Sequence, residues 1–155
     1  MPEFDVIKVE ETPYLYEERT CSMDPQDIGA AMGEVFHNVM GFMKARGIAP
    51  AGQAMSVYYT YDPNQMTFRA GFSVLPEDLA KAEGTVKADM TPAGKVLSFI
   101  HIGPYAELRN SYGEMMTYAE QNGLQIGAPA WEVYVNDPAT VPESELRTDV
   151  FVALT

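Results

Sequence analysis

The sequence predicts an α+β domain. Two copies of a strand–helix–strand–strand module form an antiparallel sheet, with two long helices and a pocket at the pseudo-twofold seam. Three observations predict it: two segments place apolar residues at helical spacing, the rest reads as short strands broken by proline and glycine, and the second half repeats the first.

The elements follow in order. Phe4 to Val9 and Tyr14 to Thr20 read as strands flanking Thr12-Pro13. The first helix opens at Asp24-Pro25, an N-cap residue followed by proline at the first helical position. Ile28, Met32, Val35, Phe36, Val39, Met40 and Met43 fall three or four residues apart, so they share one stripe. Lys44 and Arg46 occupy the last turn and Gly47 stops it. Met55 to Tyr61 is a tyrosine-rich strand closed by Asp62-Pro63, and Thr67 to Leu75 follows. Pro76 to Ala82 is a short connector. Gly84 to Met90 and Lys95 to Ile102 are strands, and the second helix opens at Gly103-Pro104 with the stripe Tyr105, Leu108, Tyr112, Met115, Met116 and Ala119. Gly123 ends it, and Ala130 to Val135 and Thr148 to Leu154 complete the strands.

The repeat has two landmarks. The helix-ending glycines Gly47 and Gly123 are 76 residues apart, whereas the Asp-Pro pairs at 62 and 137 are 75 apart, so one indel lies between. Aligned on Asp-Pro, the strands pair Val57 with Glu132 and Tyr59 with Tyr134. Two copies at this period are a duplicated module within one domain, residues 1–155 with halves of about 1–75 and 84–155. A cleft along the seam is the natural ligand site.

Composition restricts the function classes. In 155 residues, 10 basic against 22 acidic side chains leave a net charge of −12. That opposes a nucleic-acid surface and docking on anionic lipid. One cysteine excludes an intrachain disulfide framework, and two histidines make a histidine-rich metal site unfavourable. No signal peptide or membrane-spanning run is apparent, so a soluble, cytoplasmic protein without cofactor or metal is expected, as monomer or homodimer.

Glu132 is the most informative residue, a carboxylate inside the apolar strand Ala130-Trp131-Glu132-Val133-Tyr134-Val135. Alternation puts Ala130, Glu132 and Tyr134 on one face and Trp131, Val133 and Val135 on the other. Glu132 is either solvated on an exposed face or buried at a cost. In the second case it faces the aromatic and methionine surface of Met55, Tyr59 and Tyr61, a setting that attracts organic cations. Trp131 reads as core under a helix or, with a bulge, as pocket wall. His101, before a Gly-Pro turn, reads as structural.

The run His101-Ile102-Gly103-Pro104-Tyr105, then Trp131-Glu132-Val133-Tyr134 with Asn136-Asp137-Pro138, then Thr148 to Leu154, resembles the GyrI-like small-molecule-binding domain. That domain is the effector-binding part of many AraC-type and MerR-type regulators and also occurs alone. The resemblance covers nearly the whole chain. It implies a pocket between two modules, lined by aromatics, with an acid in the second-half strand. That acid falls on Glu132, the tyrosine of the Gly-Pro-Tyr turn on Tyr105, the first-half strand tyrosine on Tyr59 and the last-strand aromatic on Phe151. Tyr134 and Trp131 complete the candidate ligand-binding residues. Family members often end the last strand with proline, where this chain has Ala153.

No helix-turn-helix is expected before Phe4 or after Leu154, so the chain reads as a stand-alone sensor or drug-binding module for amphipathic, cationic small molecules. The alternative is a hydrolase of strained, cyclopropane-containing electrophiles with Glu132 as general base, a reading for which no nucleophile–base pair is visible.

Overall fold

The computed structural model describes residues 3–60 and 62–155. All eight expected strands and both helices are present, in the order β1 (Asp5–Val9), β2 (Thr12–Ser22), α1 (Pro25–Ala45), β3 (Ala54–Tyr58), β4 (Gln65–Ser73), β5 (Lys87–Thr91), β6 (Gly94–Ile102), α2 (Leu108–Gln121), β7 (Ile126–Tyr134) and β8 (Arg147–Leu154). They form one curled antiparallel sheet of order β1-β6-β8-β7-β3-β4-β2-β5.

That order is a palindrome about the β7–β3 pair. β2-α1-β3-β4 and β6-α2-β7-β8 are the two modules, and the seam runs between β3 and β7. The strand preceding each module crosses over: β1 pairs with β6 of the second module and β5 with β2 of the first.

Local chemistry sets the helix boundaries. The Asp24 carboxylate accepts from the Gln26 amide at 2.8 Å, and Pro25 takes a position whose N–H would have no partner. Gly47 and Gly123 follow the helices with φ of 68° and 67°, the left-handed conformation that closes a helix without strain in glycine. The Gly103-Pro104 opening of the second helix is a 3-10 turn, Tyr105–Glu107, leading into α2.

Both helices pack on the same face of the sheet. Val35, Val39 and Met43 of α1 are fully buried against Leu15, Phe68 and Ala70, while Leu108, Met115 and Ala119 of α2 pack on Leu97, Phe99 and Val150. Met116 departs from the expected stripe: it is exposed, and Ser111 is buried in the helix interface instead. The opposite, inner face of the curl is filled by its own side chains, Tyr14, Tyr16, Met55, Val57, Val96 and Trp131. Trp131 is therefore core, but on the helix-free side.

The register corrects the repeat alignment. Ser56 lies directly across from Glu132, and Val57 across from Trp131. Antiparallel partners share a face, so Ser56 and Tyr58, not Val57 and Tyr59, look toward the helices with Glu132. Ser56 and Glu132 are 76 residues apart, as are Gly47 and Gly123; the extra residue of the first half lies after β3, between Tyr58 and Asp62.

Candidate functional site

Glu132 sits on β7 at the seam, on the helix-bearing face, and is 6% exposed. The Tyr112 hydroxyl, from α2, donates to its Oε2 at 2.6 Å, and the Tyr134 hydroxyl, two residues along β7, donates to Oε1 at 2.8 Å. Ser56 on β3 bridges Tyr134 at 2.6 Å and donates to the Tyr58 hydroxyl at 2.9 Å. Tyr58 shares this face of the sheet, and the charge of Glu132 acts on its hydroxyl. Three strand residues and one helix residue thus surround one acid with hydroxyls.

Aromatic rings enclose this cluster. Phe36 of α1 meets Tyr134 edge-on at 6.2 Å, and Tyr105, from the turn before α2, meets the same ring at 5.6 Å. Phe99 packs edge-on against Tyr112 at 5.8 Å.

No lysine or arginine pairs with Glu132 among the described residues. Burial raises its carboxyl from the ordinary glutamate value, and the hydroxyls of Tyr112 and Tyr134, the nearby His101 ring and Tyr58 only partly oppose that. Burial, reinforced by the charge of Glu132, likewise pushes up the hydroxyls of Tyr58, Tyr112 and Tyr134.

His101 lies on the same face, 6% exposed, with both ring nitrogens engaged: Nε2 donates to the Pro104 carbonyl at 3.0 Å and Nδ1 meets the Ser111 hydroxyl at 2.8 Å. This ties the end of β6 to the start of α2. Among the described residues, no group of three or more His, Cys, Asp or Glu side chains is placed to hold a metal ion.

The expected site residues divide between the two faces. Glu132, Tyr134 and Tyr105 come together. Trp131 and Phe151 stack on each other at 5.5 Å on the inner face, because both alternate away from Glu132. There, with Met55 and Val133, they border a separate cavity of about 200 Å³. Tyr59 is also on that side, 42% exposed, with the Arg69 guanidinium 4.5 Å from its ring centre; Arg69 stacks on Tyr16 at 4.4 Å as well and donates to Asp89. Three residues at Glu132 escaped the sequence reading as site residues: Tyr58, Ser56 and Tyr112. The 76-residue spacing that relates Tyr58 to Tyr134 was the available signal for the first two.

The GyrI-like small molecule binding domain matches residues 2–155. The chain belongs to that family. No curated protein sequence matches it. Among solved structures, this GyrI-like domain superposes on the C-terminal domain of EcmrR with a TM-score of 0.85 at 20% identity, covering 100% of this chain and 98% of that one. It also matches EcmrR in its DNA complex, with a TM-score of 0.82 at 20% identity, and there spans 99% of this chain but only 57% of that one. A hydrolase from Listeria innocua aligns with a TM-score of 0.67 at 15% identity over 99% of this chain and 92% of that one. SAV2435 bound to tetraphenylphosphonium aligns with a TM-score of 0.66 at 10% identity over 99% and 94%. At these identities the likeness is one of fold. No helix is long and apolar enough to cross a membrane among the described residues.

Proposed function

We propose that this GyrI-like domain binds amphipathic cations at Glu132, between α1 and α2, as a sensor or drug-sequestering module. The observation that carries the reading is a buried carboxylate with no cationic partner, set among tyrosine hydroxyls and aromatic rings at the seam of a duplicated fold. An ionised carboxylate out of water favours any positive group that can reach it: at ~4 Å and an effective dielectric of ~20 the attraction is ~4 kcal/mol, and each aromatic face adds ~0.5–2 kcal/mol. Tyr58, Tyr112, Tyr134, Tyr105 and Phe36 form the wall. Entry requires α2 to shift, since Tyr112 covers one carboxyl oxygen. The related fold of SAV2435, which holds tetraphenylphosphonium, supports the choice of probe.

A thermal-shift screen over lipophilic cations and neutral analogues tests this. Cations are expected to stabilise the fold, by ~2.7 kcal/mol at a hundredfold excess over Kd, and neutral analogues much less. Equal stabilisation by both rejects the counter-charge role.

A second reading, hydrolysis of a strained electrophile, draws on the raised carboxyl of Glu132, the property a general base for water requires. Mass spectrometry of a cyclopropane-containing alkylator after incubation distinguishes the two: a binder returns it unchanged, and a hydrolase yields hydrated product with turnover that Glu132→Gln lowers ~10²–10⁴-fold.

A further inference from the structure

Thr148 carries a buried hydroxyl with nothing to bond. The residue is fully buried, and its Oγ1 is the one buried side-chain nitrogen or oxygen without a hydrogen-bond partner among the described residues. Its neighbours on the same side of β8, Val150 and Val152, are apolar and pack in the core with α2. A valine at 148 would continue that pattern without the cost of an unpaired hydroxyl.

The register sets Thr148 beside Glu132. β8 lies between β6 and β7, and Thr148 is paired with His101 on one side and with Tyr134 on the other. Antiparallel partners share a face, so the Thr148 side chain stands with His101, Tyr134 and Glu132 on the helix-bearing face. Glu132 is itself paired with Val150, two residues along β8, which makes Thr148 its diagonal neighbour, ~7–8 Å away in this geometry. Neither flanking side chain satisfies the hydroxyl. The Tyr134 hydroxyl is taken up by Glu132 and Ser56, and both ring nitrogens of His101 are engaged by Ser111 and Pro104.

We propose that Thr148 is a specificity residue of the Glu132 site and that the ligand is an amphipathic amino alcohol, whose protonated nitrogen pairs with the Glu132 carboxylate and whose hydroxyl hydrogen-bonds Thr148 Oγ1. This rests on the cation-binding reading above and names the class of cation. Two contacts of ~3 Å and a two-carbon link between nitrogen and oxygen span the diagonal. Either hydroxyl can donate or accept, so the contact forms with the hydrogen on either side. A symmetrical phosphonium brings the charge but no polar atom for Thr148, and it leaves that hydroxyl unpaired.

Propranolol, a naphthyl amino alcohol, and its analogue lacking the hydroxyl group form the probe pair, titrated calorimetrically against the whole chain. Wild type is expected to bind propranolol roughly tenfold more tightly than the analogue. Thr148→Val should lose that preference and Thr148→Ser should keep it. Glu132→Gln should weaken both probes and leave their ratio unchanged, because charge and hydroxyl are read by different residues. In ligand-free protein, Thr148→Val is expected to raise Tm by a few degrees, since it removes an unpaired buried hydroxyl. A hydroxyl that held the fold together would act the other way, and a fall in Tm overturns the proposal without reference to any ligand. Equal affinities for the two probes in wild type, or a preference that survives Thr148→Val, also overturn it; the counter-charge role stands if Glu132→Gln still weakens both. If neither probe binds, the amino-alcohol class is wrong, and tetraphenylphosphonium decides whether the cation-binding reading fails with it.

Discussion

Tyr58 and Tyr59 are adjacent, identical and on opposite faces of the sheet. Tyr58 turns toward the helices, to Ser56 on the face of Glu132, while Tyr59 turns to the helix-free inner face over Arg69. Phenylalanine at 58 leaves a buried hydrogen bond unmade, so Tyr58→Phe is expected to cost ~1–3 kcal/mol in urea denaturation. Tyr59→Phe keeps the ring over Arg69 and should stay within ~0.5 kcal/mol. Equal costs would contradict the facing described here. Glu132 carries a pH signature as well. Its folded carboxyl is raised above the ordinary glutamate value, chiefly by burial, so the folded state binds more protons than the unfolded state between those two values. This contribution to stability is present at low pH and declines as pH rises through that window. Glu132→Gln is therefore expected to flatten the fall and to raise Tm at and above neutral pH; at this chain length ~1 kcal/mol corresponds to ~2–4 °C. Calorimetric melting across pH checks both the slope and the sign.

At the scale of elements, periodicity and caps made most of the architecture legible. The Asp24-Pro25 start, the Val35-Val39-Met43 stripe and the two closing glycines act locally, so the sequence carries them in short windows. Strand partners are long-range and left no such trace: nothing in Asp5–Val9 announces pairing with β6 rather than β2. The site was legible only in part. Glu132 stood out because one acid interrupts an apolar strand. Placing the indel before β3 instead of after it shifted that strand by one residue, and one residue exchanges the two faces of a sheet. Tyr59 was thereby favoured over Tyr58. Tyr112 looked like an ordinary member of a helical stripe, because spacing reports a face and not what lies beneath it. Gly71 of β4 is another position that spacing does not explain. It lies opposite Tyr16, and a Cβ there would overlap the Leu15 carbonyl, a backbone atom that cannot turn aside. Gly71→Ala is expected to cost ~1–3 kcal/mol by forcing β2 and β4 apart. A neutral effect in thermal melting would show that the two strands give way more easily than this packing implies.

On the scale of the whole molecule, duplication places the proposed site. The palindromic sheet brings β3 and β7 together at its centre, and the two helices flank that seam on one face. Symmetry supplies two similar walls, Ser56-Val57-Tyr58 and Glu132-Val133-Tyr134, and a single break in it, Ser56 against Glu132, introduces the charge. The helix-free inner face is occupied instead by Trp131, Phe151 and the Arg69 stack, whose guanidinium pairs with Glu18 and Asp89. The central claim is that a single carboxylate at the seam selects for positive charge. Tetraphenylphosphonium and tetraphenylborate have nearly the same shape and opposite charge, so their affinities, measured by titration calorimetry on wild type and Glu132→Gln, isolate that selection. Wild type is expected to prefer the phosphonium at least ~100-fold, about 2.7 kcal/mol, and Glu132→Gln to lose most of that preference. Equal affinities in wild type, or a preference that survives Glu132→Gln, would contradict it.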